Sequence, residues 1–222
     1  MENQFEIFDA RIKHPFRMIV AGPSMSGKTV FVTELIKNAF ELIDSQINNI
    51  VWFYGIRTKI LENILTYETY KTKISLIEGF PDSIEKYIQS NANNLFIFDD
   101  LMLESVSNKD LTEIFTRKSH HLNISIILIM QDIFYKGTER KTFLRNSQYL
   151  VLFSNPLDLS SIYCIATKIM PKRVNIFMEI FFEATKSAHG YLFIDGAQKT
   201  PNRARLKTNI FSPYQTVFIS KK

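Results

Sequence analysis

The chain has 222 residues, 45% of them hydrophobic and 13% aromatic, enough to bury one sizeable core and to favour a single domain over several. Its one cysteine, Cys164, excludes an internal disulfide, fits a reducing compartment, and belongs to no Cys/His set at zinc-ligand spacing. The formal charge of +5 favours an approach to phosphate without proving one, and the longest apolar runs, such as Ile124 to Met130, are far too short to cross a bilayer.

The segment Met1 to Asp9 carries acidic residues where a secretory signal would be basic, so a soluble, unprocessed chain is expected, with residues 1–14 as an N-terminal extension. The first strand is Arg17 to Ala21. It runs into Gly22, Pro23, Ser24, Met25, Ser26, Gly27, Lys28 and Thr29, a full match to GxxxxGK[ST] between a strand and a helix. Only seven glycines occur in the chain, yet two stand where a residue without Cβ lets backbone N–H groups curl around a phosphate. This predicts binding of ATP with Mg²⁺: Lys28 on the β- and γ-phosphates from an exposed loop, Thr29 on the metal, and the helix dipole behind both. That helix is predicted from Val32, Leu35, Ile36, Ala39 and Phe40 at helical spacing.

Further strands are predicted at Asn49 to Tyr54, Lys73 to Glu78, Asn94 to Phe98, Ser125 to Met130, Tyr149 to Phe153 and Tyr191 to Ile194. Most are continuously apolar, as strands covered on both faces are, and helical patterns alternate with them. Helices are predicted over Ile60 to Tyr67, Pro81 to Gln89, Asn108 to His120 and Leu159 to Ile169, the last stopped by Pro171. The fold class is therefore α/β, built on a mainly parallel central sheet. From Gly196 to Lys222 there are six basic and no acidic residues, and Pro201 and Pro213 with little periodicity predict an extended basic tail over 197–222, solvated on the simplest view of its charge.

Asn94 to Asp100 is an apolar run ending in two carboxylates, a Walker B pattern. Beside a phosphate loop, Asp99 is the candidate metal ligand and Asp100 the acid that polarises the attacking water; alone, such a pair is more often a cap or a turn. The next strand ends at Gln131, whose amide can donate to a phosphate oxygen and accept from that water, or can simply face solvent. A catalytic arginine is also expected, often from a neighbouring subunit. Arg140, Arg145 and Arg117 are candidates, each equally able to be a surface ion-pair partner. His120 and His121 have no carboxylate or cysteine at ligand spacing, and no metal or catalytic role is expected of them. Phe177, Met178, Ile180, Phe181 and Phe182 read as ordinary core or subunit interface.

With these motifs in place, the chain resembles the viral genome-packaging ATPases of the FtsK/HerA superfamily, of the polinton and adintovirus type, with poxvirus and giant-virus packaging ATPases as more distant relatives. The resemblance covers about Pro15 to Phe211. It rests on GPSMSGKT at 22–29, LFIFDD at 95–100, FTRKSHHLNISIILIMQD at 115–132, the stretch 137–171 with Asn-Pro-Leu-Asp at 155–158, and the segment 190–211. It implies a three-layer RecA-like core, a homo-oligomeric ring with ATP sites between subunits, and translocation of double-stranded DNA into a preformed capsid with vertex or portal proteins as partners. It also implies action at the viral assembly site in the host nucleus or cytoplasm, or with the virion. Lys28, Thr29, Asp99, Asp100 and Gln131 match motif positions of that family, and Arg140 sits nearest to its arginine past the sensor. The chain departs from the family in Asp100, where glutamate is commoner, and in Lys118, where a small residue is usual.

Two other readings compete on the residues alone. A small-molecule phosphotransferase such as a nucleoside kinase needs an arginine-rich lid, which is not evident, and has no obvious use for Gln131. A module that binds ATP only to fix an assembly state needs neither Asp100 nor Gln131.

Overall fold

Runs of β-branched and aromatic residues pack best on a pleated surface covered from both sides, and each predicted run is a strand. The computed structural model describes residues 8–68, 72–101, 109–133 and 138–219. The strands in chain order are β1 (Arg17–Ala21), β2 (Asn49–Tyr54), β3 (Lys73–Glu78), β4 (Asn94–Asp99), β5 (Ile124–Met130), β6 (Tyr149–Phe153), β7 (Tyr191–Asp195), β8 (Leu206–Thr208) and β9 (Thr216–Val217). They form one sheet in the order β3-β2-β4-β5-β1-β6-β7-β8-β9. The first six positions in that order are parallel and the last three are added antiparallel.

The helices are α1 (Lys28–Lys37), α2 (Ala39–Leu42), α3 (Lys59–Ile64), α4 (Lys109–Glu113), α5 (Ser119–His121), α6 (Thr138–Asn146), α7 (Ser160–Ile169) and α8 (Val174–Ala184). Side chains alternate across each strand, so one sheet builds two cores. Met18, Val20, Trp52 and Ile97 pack with Phe31, Val32 and Leu35 of α1 and Leu61 of α3. Ile19, Phe53, Phe96 and Leu128 face the other way, onto Phe115, Phe143, Ile162, Phe177 and Phe181. Three layers result. Among the described residues, no helix is long and apolar enough to cross a membrane.

Several local expectations change. Only a 3₁₀ turn, Glu85–Tyr87, forms where a helix over Pro81 to Gln89 was expected. The buried amides of Asn49 and Asn94 take the backbone groups a helix would use: Asn94 accepts from Gln89 N–H at 3.0 Å and donates to Gln89 C=O at 3.1 Å, and Asn49 donates to Tyr87 C=O at 2.9 Å. The helix expected to reach His120 is interrupted by a π-turn at Ile114–Lys118, where Arg17 donates to the carbonyls of Phe115 and Thr116 at 3.1 and 3.3 Å. Phe40 is 86% exposed, because α1 ends before Asn38 and the apolar stripe stops with it. The helices α6 and α8 were not predicted. In α6 little besides Phe143 is apolar, and the run in α8 is too continuously apolar for periodicity to separate helix from strand.

The basic segment after residue 196 is more than a solvated tail. Its β8 pairs with β7, Phe193 opposite Lys207, and Lys207 is 2% exposed with Nζ 3.2 Å from the equally buried Asp195 carboxylate. Thr200 Oγ1 donates to the same carboxylate at 2.8 Å, and Arg205 donates to the carbonyls of Asp195 and Ala197. Buried acceptors at the end of β7 need donors, and the basic residues supply them. Residues 8–14 of the expected extension are also fixed: Ile12 is buried and bridges Ile43, and Lys13 N–H donates to the Tyr149 hydroxyl at 3.0 Å.

Candidate functional site

Parallel strands deliver their carboxyl ends to one edge, and the break in strand order around β1 opens a crevice there. Register fixes what meets in it. Asp99 lies opposite Tyr54 of β2 and Ile129 of β5, and Ala21 lies opposite Met130, so the loop after β1 and the ends of β4 and β5 form one rim. Gly22 N–H donates to Met130 C=O at 3.2 Å and ties the start of the loop to that rim.

A Cβ on Gly22 would lie 2.6 Å from Phe153 Cβ and 2.9 Å from Ser26 Oγ, so no larger residue fits. Gly27 is the N-cap of α1 with φ 108, a left-handed conformation that glycine adopts freely, and no side chain caps the helix. The first N–H groups of α1 therefore face outward unpaired, with the positive end of the helix dipole behind them. Pro23 is partly covered, while Ser24 and Met25 are exposed at the tip of the loop.

Lys28 is not on an exposed loop but is the first residue of α1 and 8% exposed. Its Nζ donates to the carbonyls of Gly22 and Pro23, each at 2.8 Å, so the ammonium sits inside the loop. Burial lowers its pKa, opposed by the charges of Asp100 and Asp99. Thr29 follows, and its side chain is near enough to the Asp99 carboxylate to lower that group's pKa.

Asp99 is pushed up to about 6 chiefly by burial, with the neighbouring Asp100 adding to the rise; hydrogen bonds from Trp52 and Thr29 and the charge of Lys28 oppose it. Trp52 Nε1 donates to Asp99 Oδ2 at 3.3 Å from a fully buried ring. No local pattern signals this contact, because β2 lies beside β4 only through the sheet order. Asp100 has φ 46 and is exposed, and Gln131 Nε2 donates to its Oδ2 at 2.6 Å. Asp99, Asp100, Gln131, Lys28 and Thr29 are thus brought together.

Arg117 and Arg145 are not. Arg117 lies in the π-turn beside Arg17 at the start of β1, and Arg145 lines a cavity of about 290 Å³ with Gln148 and Gly196, both at the opposite edge of the sheet. Arg140 is in the first turn of α6, and its side chain lies outside the described residues. Lys118 is away from the crevice, within ion-pair distance of Glu85 and Glu113. No His, Cys, Asp and Glu cluster able to hold a metal alone occurs among the described residues.

Sequence comparison finds curated relatives in poxviruses. DNA packaging protein OPG160 of Variola virus is 27% identical over 140 residues, covering 59% of this chain and 50% of that protein. DNA packaging protein OPG160 of Vaccinia virus, strain Copenhagen, is 27% identical over 130 residues, covering 54% and 47%. The chain spans about half the length of the curated relatives it matches. Among solved structures, B204, the DNA-packaging ATPase from Sulfolobus turreted icosahedral virus, matches with a TM-score of 0.58 at 9% identity, covering 85% of this chain and 96% of that one. The genome packaging NTPase B204 from Sulfolobus turreted icosahedral virus 2, in complex with ATP-gammaS, matches at 0.53 with 14% identity, covering 83% and 94%. At such identities the likeness shows the fold, a RecA-like P-loop architecture. The model of the family described as Poxvirus A32 protein matches residues 2–197, and the chain belongs to that family.

Proposed function

We propose that this chain is an ATP-hydrolysing motor subunit that moves double-stranded viral DNA into a preformed capsid, acting as a single domain. The observation that carries the reading is the crevice itself: an uncapped helix N-terminus and a buried lysine face a carboxylate pair and an amide on the adjacent strand ends. The poxvirus relatives named as DNA packaging proteins, and the fold shared with viral packaging NTPases, supply the biological direction.

In this reading Gly22 to Thr29 hold the phosphates, with Lys28 on the β- and γ-oxygens. The residues fit a magnesium ion. Thr29 Oγ1 and the Asp99 carboxylate are neighbouring oxygen ligands of the kind magnesium takes, and burial pushes the Asp99 carboxyl up to about 6, a rise that a bound cation would offset. When bound, Mg²⁺ neutralises charge on the phosphates. Asp100 takes the proton of the attacking water, and Gln131, already hydrogen-bonded to it, orients both. Arg140 is the candidate to reach a neighbouring subunit's γ-phosphate in a homo-oligomeric ring, assembled with capsid vertex or portal proteins at the viral assembly site, nuclear or cytoplasmic.

The test is steady-state ATP hydrolysis with and without long double-stranded DNA. Stimulation by DNA supports the motor; turnover that requires an added nucleoside favours a kinase. In Asp100→Asn, ATP affinity is expected to persist while hydrolysis falls by about 10²–10⁴-fold, the usual worth of a positioned general base. The left-handed backbone at Asp100 tolerates asparagine, so loss of affinity in step with turnover would assign Asp100 to binding instead.

A further inference from the structure

Between α8 and β7 the chain reverses in a tight turn. Gly190 N–H donates to Ser187 C=O at 2.9 Å, and a Cβ on Gly190 would lie 2.8 Å from Ala184 O. The residue before it, His189, has φ 61, a left-handed conformation that costs a side-chain-bearing residue about 1 kcal/mol. β7 runs antiparallel to β6 with Tyr191 opposite Phe153, so the turn opens at the crevice edge beside Gly22.

His189 Nδ1 lies 3.1 Å from the carbonyl oxygen of Ser26. A carbonyl only accepts, so Nδ1 carries the hydrogen and the tautomer is fixed. The imidazole also covers Gly27, where an added Cβ would lie 3.2 Å from His189 Cβ and 3.3 Å from Nδ1. Because the peptide unit is planar and trans, anchoring the Ser26 C=O toward His189 directs the Gly27 N–H the opposite way, into the loop. Strain held at one residue by a turn that admits only glycine at the next is a pattern of functional positions.

We propose that His189 is a positioning residue of the nucleotide site, holding the Ser26–Gly27 peptide so that its N–H faces the polyphosphate of a bound nucleoside triphosphate. The inference rests on the reading of Gly22 to Thr29 as the phosphate loop. The histidine acts through the loop, so it governs affinity and leaves the chemical step alone.

The experiment is direct titration with a fluorescent ATP analogue and Mg²⁺, with KM and kcat from phosphate release and melting curves of the nucleotide-free proteins. His189→Ala is expected to weaken affinity and raise KM about three- to tenfold with kcat nearly unchanged, the worth of one exposed hydrogen bond. His189→Asn is expected to restore affinity, because Asn carries an N–H donor on the same Cγ and accepts a left-handed backbone. Wild-type affinity in His189→Ala overturns the inference while leaving the site reading standing. Equal weakness in the Ala and Asn variants, with unchanged melting, also overturns it, since the donor would not be what matters. Absence of binding by the wild-type protein overturns the phosphate-loop reading and this inference with it.

Discussion

Lys28→Ala is expected to lower ATP turnover by about 10²–10³-fold or to background, measured by phosphate release, while the protein still melts cooperatively near the wild-type temperature. The ammonium is 8% exposed and already aimed into the loop by two 2.8 Å hydrogen bonds to Gly22 and Pro23, so no reorganisation is needed to meet a phosphate. Its removal takes away the one cation inside the cradle among the described residues. Two opposing effects keep the stability change within about 1 kcal/mol: two carbonyls lose a donor, and a cation whose charged form burial disfavours is relieved. Wild-type turnover in this variant would remove the site assignment, whereas an unfolded variant would show that the lysine is needed to close the loop.

Asp99→Asn is expected to move stability and activity in opposite directions. Burial pushes the Asp99 carboxyl up to about 6 from an ordinary 3.8, so the nucleotide-free fold prefers it protonated. The sign follows from linkage: between those values the folded chain binds the proton more tightly than the unfolded chain. The stability this contributes is fully present below about pH 4 and is lost as pH rises through 6. The whole shift corresponds to at most about 3 kcal/mol, and partial solvent access reduces the expected gain at pH 7.5 to about 1–2 kcal/mol. Asn keeps the size and an oxygen for the Trp52 N–H but never ionises, so urea unfolding should show that gain at pH 7.5 and almost none at pH 4. Magnesium-dependent hydrolysis should fall by at least about 10²-fold at the same time, stability traded against function. A variant less stable than wild type at pH 7.5 would mean that the ionised carboxylate stabilises the fold through Trp52 and Thr29.

Local chemistry was legible wherever one segment carries its own reason. The run Asn49 to Tyr54 is a strand with the predicted bounds, because the five consecutive β-branched or aromatic side chains from Ile50 to Tyr54 suit a covered strand of that length. The loop from Gly22 to Thr29 is the same: pattern, flanking strand and helix lie within one stretch of chain. Where a distant group competes for the backbone, local reading misled. The side chain of Asn49, 38 residues away, takes the Tyr87 carbonyl from the helix expected at Pro81 to Gln89, and the carboxylate of Asp195 draws Lys207 out of solvent into the sheet.

The glycine loop, the apolar strands, and the carboxylates and amide at their ends are written in the chain, since spacing along a covalent chain and side-alternating burial set these. Which of them meet depends on the sheet. Gln131 reaches Asp100 across 31 residues because β5 lies beside β4, and His189 reaches Ser26 across 163 because β7 doubles back along β6. Those contacts depend on strand order and register, which are fixed by the packing of the whole sheet between its two helical layers rather than by any one segment.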